Sequence, residues 1–106
     1  MARALIRFPA RARKGEVIEI TTLIGHPMET GYRPGADGVV VPRDILRGFV
    51  CRYNGTEVFR AELFPAMAAN PFIAFSTVAT ETGVLSFTWT GDNGFAQTET
   101  AAITVE

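Results

Sequence analysis

Short runs of alternating apolar and polar residues recur along this chain, separated by turns rich in glycine, proline and asparagine. The alternation predicts strands over Ala4–Phe8, Glu16–Ile24, Ile45–Tyr53, Thr56–Phe64, Phe72–Ala79, Val84–Thr90 and Phe95–Val105. In the second of these, Ile18, Ile20, Thr22 and Ile24 share one phase, and Glu19 and Thr21 take the other. A period of two with β-branched side chains is the pattern of a half-buried strand. The same reading puts Phe59, Ala61 and Leu63 opposite Arg60 and Glu62, groups Leu85, Phe87 and Trp89, and pairs Ile103 with Val105.

The turns agree with the strands. Asn54-Gly55 supplies the two residues that tolerate the positive φ angles of a type I′ hairpin. Arg13-Lys14-Gly15, Glu81-Thr82-Gly83 and Gly91-Asp92-Asn93-Gly94 are the other reversals, the last read as a tight hairpin. Between Pro65 and Pro71 there is room for one helical turn at most, because Pro71 forbids a longer helix. The stretch His26–Arg43 contains Pro27, Gly31, Pro34, Gly35, Gly38 and Pro42, which exclude a regular helix or a central strand. A loop of that length is usually functional or mobile. Seven short strands and no convincing helix predict an all-β, immunoglobulin-like antiparallel sandwich in two sheets, with a Greek-key barrel as the alternative.

Length and charge narrow this further. With 106 residues, the chain is read as a single domain over 1–106, and its 47 % hydrophobic content suffices for one sandwich core. The formal charge of −1 leaves no electrostatic footprint for nucleic acid. Arg3, Arg7, Arg11, Arg13 and Lys14 cluster near the start, where a solvated edge strand and its turn account for them. No apolar run is long enough to span a bilayer as a helix, so no membrane contact is expected. Met1–Lys14 lacks the apolar middle section of a secretory signal, which leaves the cytoplasm or export alongside a signal-bearing partner.

Candidate chemistry is sparse. His26 is the only histidine and Cys51 the only cysteine, so neither an intrachain disulfide nor a closed four-ligand zinc site can form. A Ser-His-acid set would have to use Ser76 or Ser86, both inside predicted strands where a nucleophile is poorly presented. Cys51 lies mid-strand beside Val50, where a free thiol behaves as a small hydrophobe. No cofactor is implied, and the chain is read as a non-enzyme.

Two loops are less polar than surface loops usually are. His26-Pro27-Met28-Glu29-Thr30-Gly31-Tyr32 is expected to expose a methionine and an aromatic, and Phe64–Phe72 is largely apolar. Met and aromatic residues are enriched at interface centres, which makes His26, Met28, Tyr32, Phe64, Pro65, Met67 and Phe72 candidate partner contacts. A hydrophobic cap over the end of the core is the competing account. Arg33 and Arg43 in the long loop are candidates for steering an anion, against plain solvation of the loop.

At these loops the sequence resembles a known family. Gly25-His26-Pro27-Met28-Glu29-Thr30-Gly31 resembles a segment of SoxZ proteins, as do Phe49–Gly55, Val58–Ala66, Ala69–Phe72 and Phe87–Gly94, in that order along the chain. The likeness runs from about Arg7 to Glu106 and is specific through five ordered blocks rather than any one of them. It implies the smaller subunit of SoxYZ, the carrier of the thiosulfate-oxidising Sox system. In that system SoxY bears sulfur intermediates on a cysteine of a glycine-rich C-terminal arm, other Sox enzymes act on them transiently, and SoxZ contributes an immunoglobulin-like domain. No catalytic residue is carried over. This chain ends Thr104-Val105-Glu106, so Cys51 does not match the carrier cysteine. The resemblance also implies a periplasmic protein exported with SoxY. Expressed alone, such a chain is expected to self-associate through its unpartnered apolar surface. A stand-alone ligand-binding or adhesion sandwich, and a hydrolase using His26 or Cys51, are the alternatives.

Overall fold

The computed structural model describes residues 2–106. Eight strands follow one another: β1 (Ala4–Arg7), β2 (Arg11–Ala12), β3 (Val17–Ile24), β4 (Leu46–Tyr53), β5 (Thr56–Glu62), β6 (Phe72–Val78), β7 (Gly83–Gly91) and β8 (Ala96–Val105). They form a three-stranded sheet in the order β1-β3-β6 and a five-stranded sheet in the order β2-β8-β7-β4-β5. All pairings are antiparallel except β2 with β8. The protein is thus an all-β, immunoglobulin-like sandwich. Its eighth strand, absent from the sequence reading, is the two-residue β2, too short to show a period.

The alternating residues meet between the sheets. Ile18, Ile20, Thr22 and Ile24 of β3 are each no more than 1 % exposed, and Phe49, Leu85, Phe87 and Trp89 face them from the larger sheet fully buried. Phe49 is the hub, with Trp89 at 5.2 Å, Phe75 at 5.9 Å and Phe59 at 6.2 Å between ring centroids. Burial of each such side chain is worth roughly 1.5–3 kcal/mol. The one buried polar residue of β3, Thr22, donates its hydroxyl to the Ile73 carbonyl at 3.1 Å, which removes the cost of burying it. Trp89 Nε1 has no partner among the described residues, so its ring is held by packing alone.

Turn chemistry follows the sequence at Asn54-Gly55, where φ is 48° and 84°, as a type I′ hairpin requires. One expectation is corrected: Phe64–Met67 is a β-turn, closed by the Met67 N–H on the Phe64 carbonyl at 3.0 Å, and not a helical turn. Gly91–Gly94 does close a hairpin between β7 and β8, with Thr90 paired to Ala96 and a short 3₁₀ turn at Asp92–Gly94.

The segment between β3 and β4 is a narrow ribbon. Glu29 and Asp44 exchange two backbone hydrogen bonds of 2.8 Å, and Val41 N–H reaches the Arg33 carbonyl at 2.8 Å nearer the tip. The molecule measures 58 × 20 × 20 Å. Ten residues of strand span only about 34 Å, so the ribbon extends the sandwich.

Candidate protein-interaction surface

The outer face of the three-stranded sheet carries one wholly apolar row where such faces are normally polar, next to the mixed sets Arg7–Thr21–Ala74 and Glu19–Ser76. Register places Leu5 opposite Leu23, and Leu23 opposite Phe72, as one row across all three strands. Leu5 is 46 % exposed and Phe72 59 %. Beside Phe72, the β-turn after β5 presents Phe64, 61 % exposed, with Ala66 and the half-buried Met67. Ala61, Leu63, Phe64, Met67, Phe72 and Ala74 line a shallow groove of about 570 Å³ between the end of β5 and β6. Apolar side chains from one strand row, the end of β5 and one turn therefore meet at Phe72 in a patch of the kind that marks interaction sites.

Of the sequence candidates, Phe64, Met67 and Phe72 are brought together here, with the partly buried Pro65 in the turn between them. Leu5 and Leu23 were missed. The available signal was Leu23 itself, an apolar residue in the solvent phase set by Glu19 and Thr21.

The first loop does not join the patch. Contrary to expectation it does not expose its methionine: Met28 is 5 % exposed, and its sulfur accepts the Leu46 N–H at 3.3 Å. His26, 6 % exposed, accepts the Met28 N–H on Nδ1 at 3.0 Å, lies edge-on to Phe95 at 5.6 Å, and points Nε2 at Asp44 from 3.7 Å. A left-handed backbone at Met28, φ 51°, turns the side chain inward over the end of the core. These two residues serve the base of the ribbon. Tyr32, 83 % exposed, is carried out along it with Val39 and Val40.

The two loop arginines are already engaged. Arg33 bonds Glu29 at 2.6 and 3.0 Å, and Arg43 bonds both oxygens of Asp92 at 2.8 and 2.9 Å. Asp92 also accepts the Ile45 N–H at 3.2 Å, and the Arg43 guanidinium holds its carboxyl below the usual aspartate range. Neither arginine presents an uncommitted charge.

The candidate nucleophiles read from the sequence are not set up for reaction. Cys51 is fully buried, and burial pushes its thiol up to about 11, so almost none is thiolate at neutral pH. The ring nitrogens of His26 serve Met28 and Asp44, and neither Ser76 nor Ser86. Among the described residues no group of three His, Cys, Asp or Glu side chains is placed to hold a metal.

Comparison with known proteins adds the following. No curated protein matches the chain. A superoxide reductase (neelaredoxin) from Ignicoccus hospitalis shares the fold at a TM-score of 0.72, with 15 % identity over 99 % of this chain and 82 % of that one. The sulfur carrier protein SoxY from Chlorobium limicola f thiosulfatophilum is similar at a TM-score of 0.67, with 14 % identity over 97 % of this chain and 78 % of that one. At such identities the likeness speaks for the fold alone. The sequence itself goes further, because the family described as "Sulphur oxidation protein SoxZ" matches residues 6–102, which is nearly all of the chain. This chain belongs to the SoxZ family of sulphur oxidation proteins.

Proposed function

We propose that this chain is the non-catalytic scaffold subunit of a SoxYZ sulfur carrier, bound to SoxY through the apolar row on the outside of its three-stranded sheet and the turn beside it. The observation that carries this reading is the continuous row Leu5–Leu23–Phe72 with Phe64 and Met67 beside it, which no other element among the described residues covers. Burying such a patch against a partner removes apolar area from water, the main driving force of association. The buried thiol of Cys51 supports assigning the carried sulfur to the partner's cysteine arm. Thiosulfate oxidation, a periplasmic location, export with the partner and transient visits by other Sox enzymes belong to the same proposal.

The test is co-purification from the native source, followed by titration of SoxY against charge variants. A tight complex with a protein ending in a cysteine-bearing glycine-rich arm is expected. Phe64→Asp and Met67→Asp should each weaken it strongly, since desolvating a lone charge inside an interface costs on the order of several kcal/mol. Full affinity in both variants, with unchanged melting, would remove this face as the interface. A chain that purifies alone as a stable monomer with its own small ligand would favour a stand-alone binding sandwich instead.

A further inference from the structure

A sheet edge left open is an invitation to pair with another chain, and proteins blunt such edges with charge, proline, bulges or brevity. This sandwich has four edges, β1, β6, β2 and β5. Strand β2 is only two residues long, and one of them is Arg11. Strand β1 is four residues long and ends on Arg7. Strand β5 carries Glu57, Arg60 and Glu62, and its pairing with β4 shifts register at Cys51/Arg52. Strand β6 has none of these devices. Its seven residues, Phe-Ile-Ala-Phe-Ser-Thr-Val, include no charge and no proline, and its register with β3 is unbroken from Leu23–Phe72 to Val17–Val78.

The hydrogen-bond phase shows which backbone groups are free. Ile24 N–H reaches the Pro71 carbonyl at 3.3 Å, and Ala79 N–H reaches the Glu16 carbonyl at 2.8 Å, at the two ends of the pairing. In an antiparallel ladder the bonded pairs alternate. Ile73, Phe75 and Thr77 therefore direct their N–H and C=O groups to β3, while Phe72, Ala74, Ser76 and Val78 direct theirs away from it. No hydrogen bond to those four residues' backbone groups exists among the described residues. Across the gap, Phe59 of β5 stacks on Phe75 at 4.3 Å yet remains only partly buried, and the groove lined by Leu63, Met67 and Phe72 lies along the β6 side.

We propose that β6 is the docking edge of this protein, and that an extended, uncharged, alternately apolar strand of its SoxY partner adds to it as the fourth strand of the smaller sheet. The proposal rests on the carrier reading for the partner's identity. The chemistry of the occupant follows from the edge. Only another backbone in extended form can satisfy donors and acceptors spaced two residues apart on one line. A strand in that position would bury the remaining surface of Phe59 and lay alternate side chains into the groove, where a charge would be desolvated without a partner.

The experiment compares amide exchange in the free chain and in the purified complex, with a backbone variant as second readout. In the complex, the amides of Phe72, Ala74, Ser76 and Val78 should exchange at least about a hundredfold more slowly than in the free chain at low concentration, as paired groups do. Ser76→Pro removes one outward N–H and no bond to β3, so it is tolerated on an edge and should weaken SoxY at least about tenfold while the variant stays folded. If Ser76→Pro unfolds the chain, the exchange pattern decides alone. A complex of full affinity in which these four amides stay unprotected would overturn the edge and leave the carrier reading standing. Failure to bind any SoxY would instead sink that reading. Protection that appears in the free chain as its concentration rises would reassign the edge to a second copy and overturn the partner strand.

Discussion

The two sheets bury the same kind of inner face and differ in one row of their outer faces. Outside the five-stranded sheet, register lines up Arg52, Ser86 and Thr100 in one row and Val50, Thr88 and Thr98 in the next, with the two threonine hydroxyls bonded at 3.0 Å. Arg60 and Glu62 continue this polar surface on β5. Outside the three-stranded sheet one row is Leu5, Leu23 and Phe72, apolar throughout, and the row beside it, Arg7, Thr21 and Ala74, is mixed. A sandwich needs its inner faces apolar to fold, but nothing in folding asks for an apolar outer face. The all-apolar row Leu5–Leu23–Phe72 is therefore not explained by folding, and the larger sheet is the internal control.

The same charge placed on each face breaks or sharpens this contrast most directly. Phe72→Asp should weaken SoxY by about a hundredfold or more, equivalent to roughly 2.7 kcal/mol. Thr98→Asp on the exposed face of the larger sheet should leave affinity unchanged. Calorimetric titration of both variants measures the difference, and both should melt near the parent because neither residue is in the core. Equal losses from the two variants would abolish the distinction between the faces.

The mirror-image experiment removes stability and spares binding. Tyr53, at the end of β4, lies in the larger sheet, and its hydroxyl clips the turn that links β6 to β7. It donates to the Glu81 carbonyl and accepts the N–H groups of Glu81 and Thr80 at 3.2 and 3.3 Å. Tyr53→Phe strands those groups in a partly buried setting and should lower unfolding free energy by roughly 1–3 kcal/mol in urea titrations. Affinity for SoxY, measured where the variant is folded, should not move. A parallel drop in affinity would mean that the outer face depends on how this end of the sandwich is held.

How much of this was legible beforehand depends on the range of the interaction that sets each feature. The strands were readable because alternation is local: Ile18, Ile20, Thr22 and Ile24 announce a buried face without knowledge of what covers it. Asn54-Gly55 was readable for the same reason. The strand β2 was not, since two residues carry no period and their pairing with β8 is decided about ninety positions away, at Thr104 and Val105. Nor was the inward turn of Met28, which needs both a left-handed φ and the distant Leu46 N–H. The apolar patch was half visible. Phe64, Met67 and Phe72 stood out as apolar residues in a proline-flanked segment. Leu5 and Leu23 looked like ordinary strand residues until register set them in one row with Phe72.

Acid separates the two sides of the molecule by the smallest margin. The Leu5–Leu23–Phe72 row holds no titratable group, whereas beyond the larger sheet Asp92 ties Arg43, the Ile45 N–H and, at 3.4 Å, Arg47 to the turn after β7. The hydrogen bond from Arg43 lowers the Asp92 pKa in the folded protein from its ordinary 3.8. The unfolded chain thus takes up that proton first. The contribution is complete above the ordinary value and is lost as pH falls through the folded one. Urea titrations from pH 6 to about pH 3 should show stability falling at the acid end. Asp92→Asn should start lower and fall less steeply. Some slope should survive the substitution, because Glu29 and Glu57 are lowered in the same sense by Arg33 and Arg60. The arginines of these pairs all lie at exposed or half-exposed positions, so screening by 0.5 M salt should shrink the slope further. An acid limb identical in the variant and its parent would show that the Asp92 cluster is held by backbone geometry and not by charge, and that the polar side of the molecule is as indifferent to its ionic state as the apolar face is.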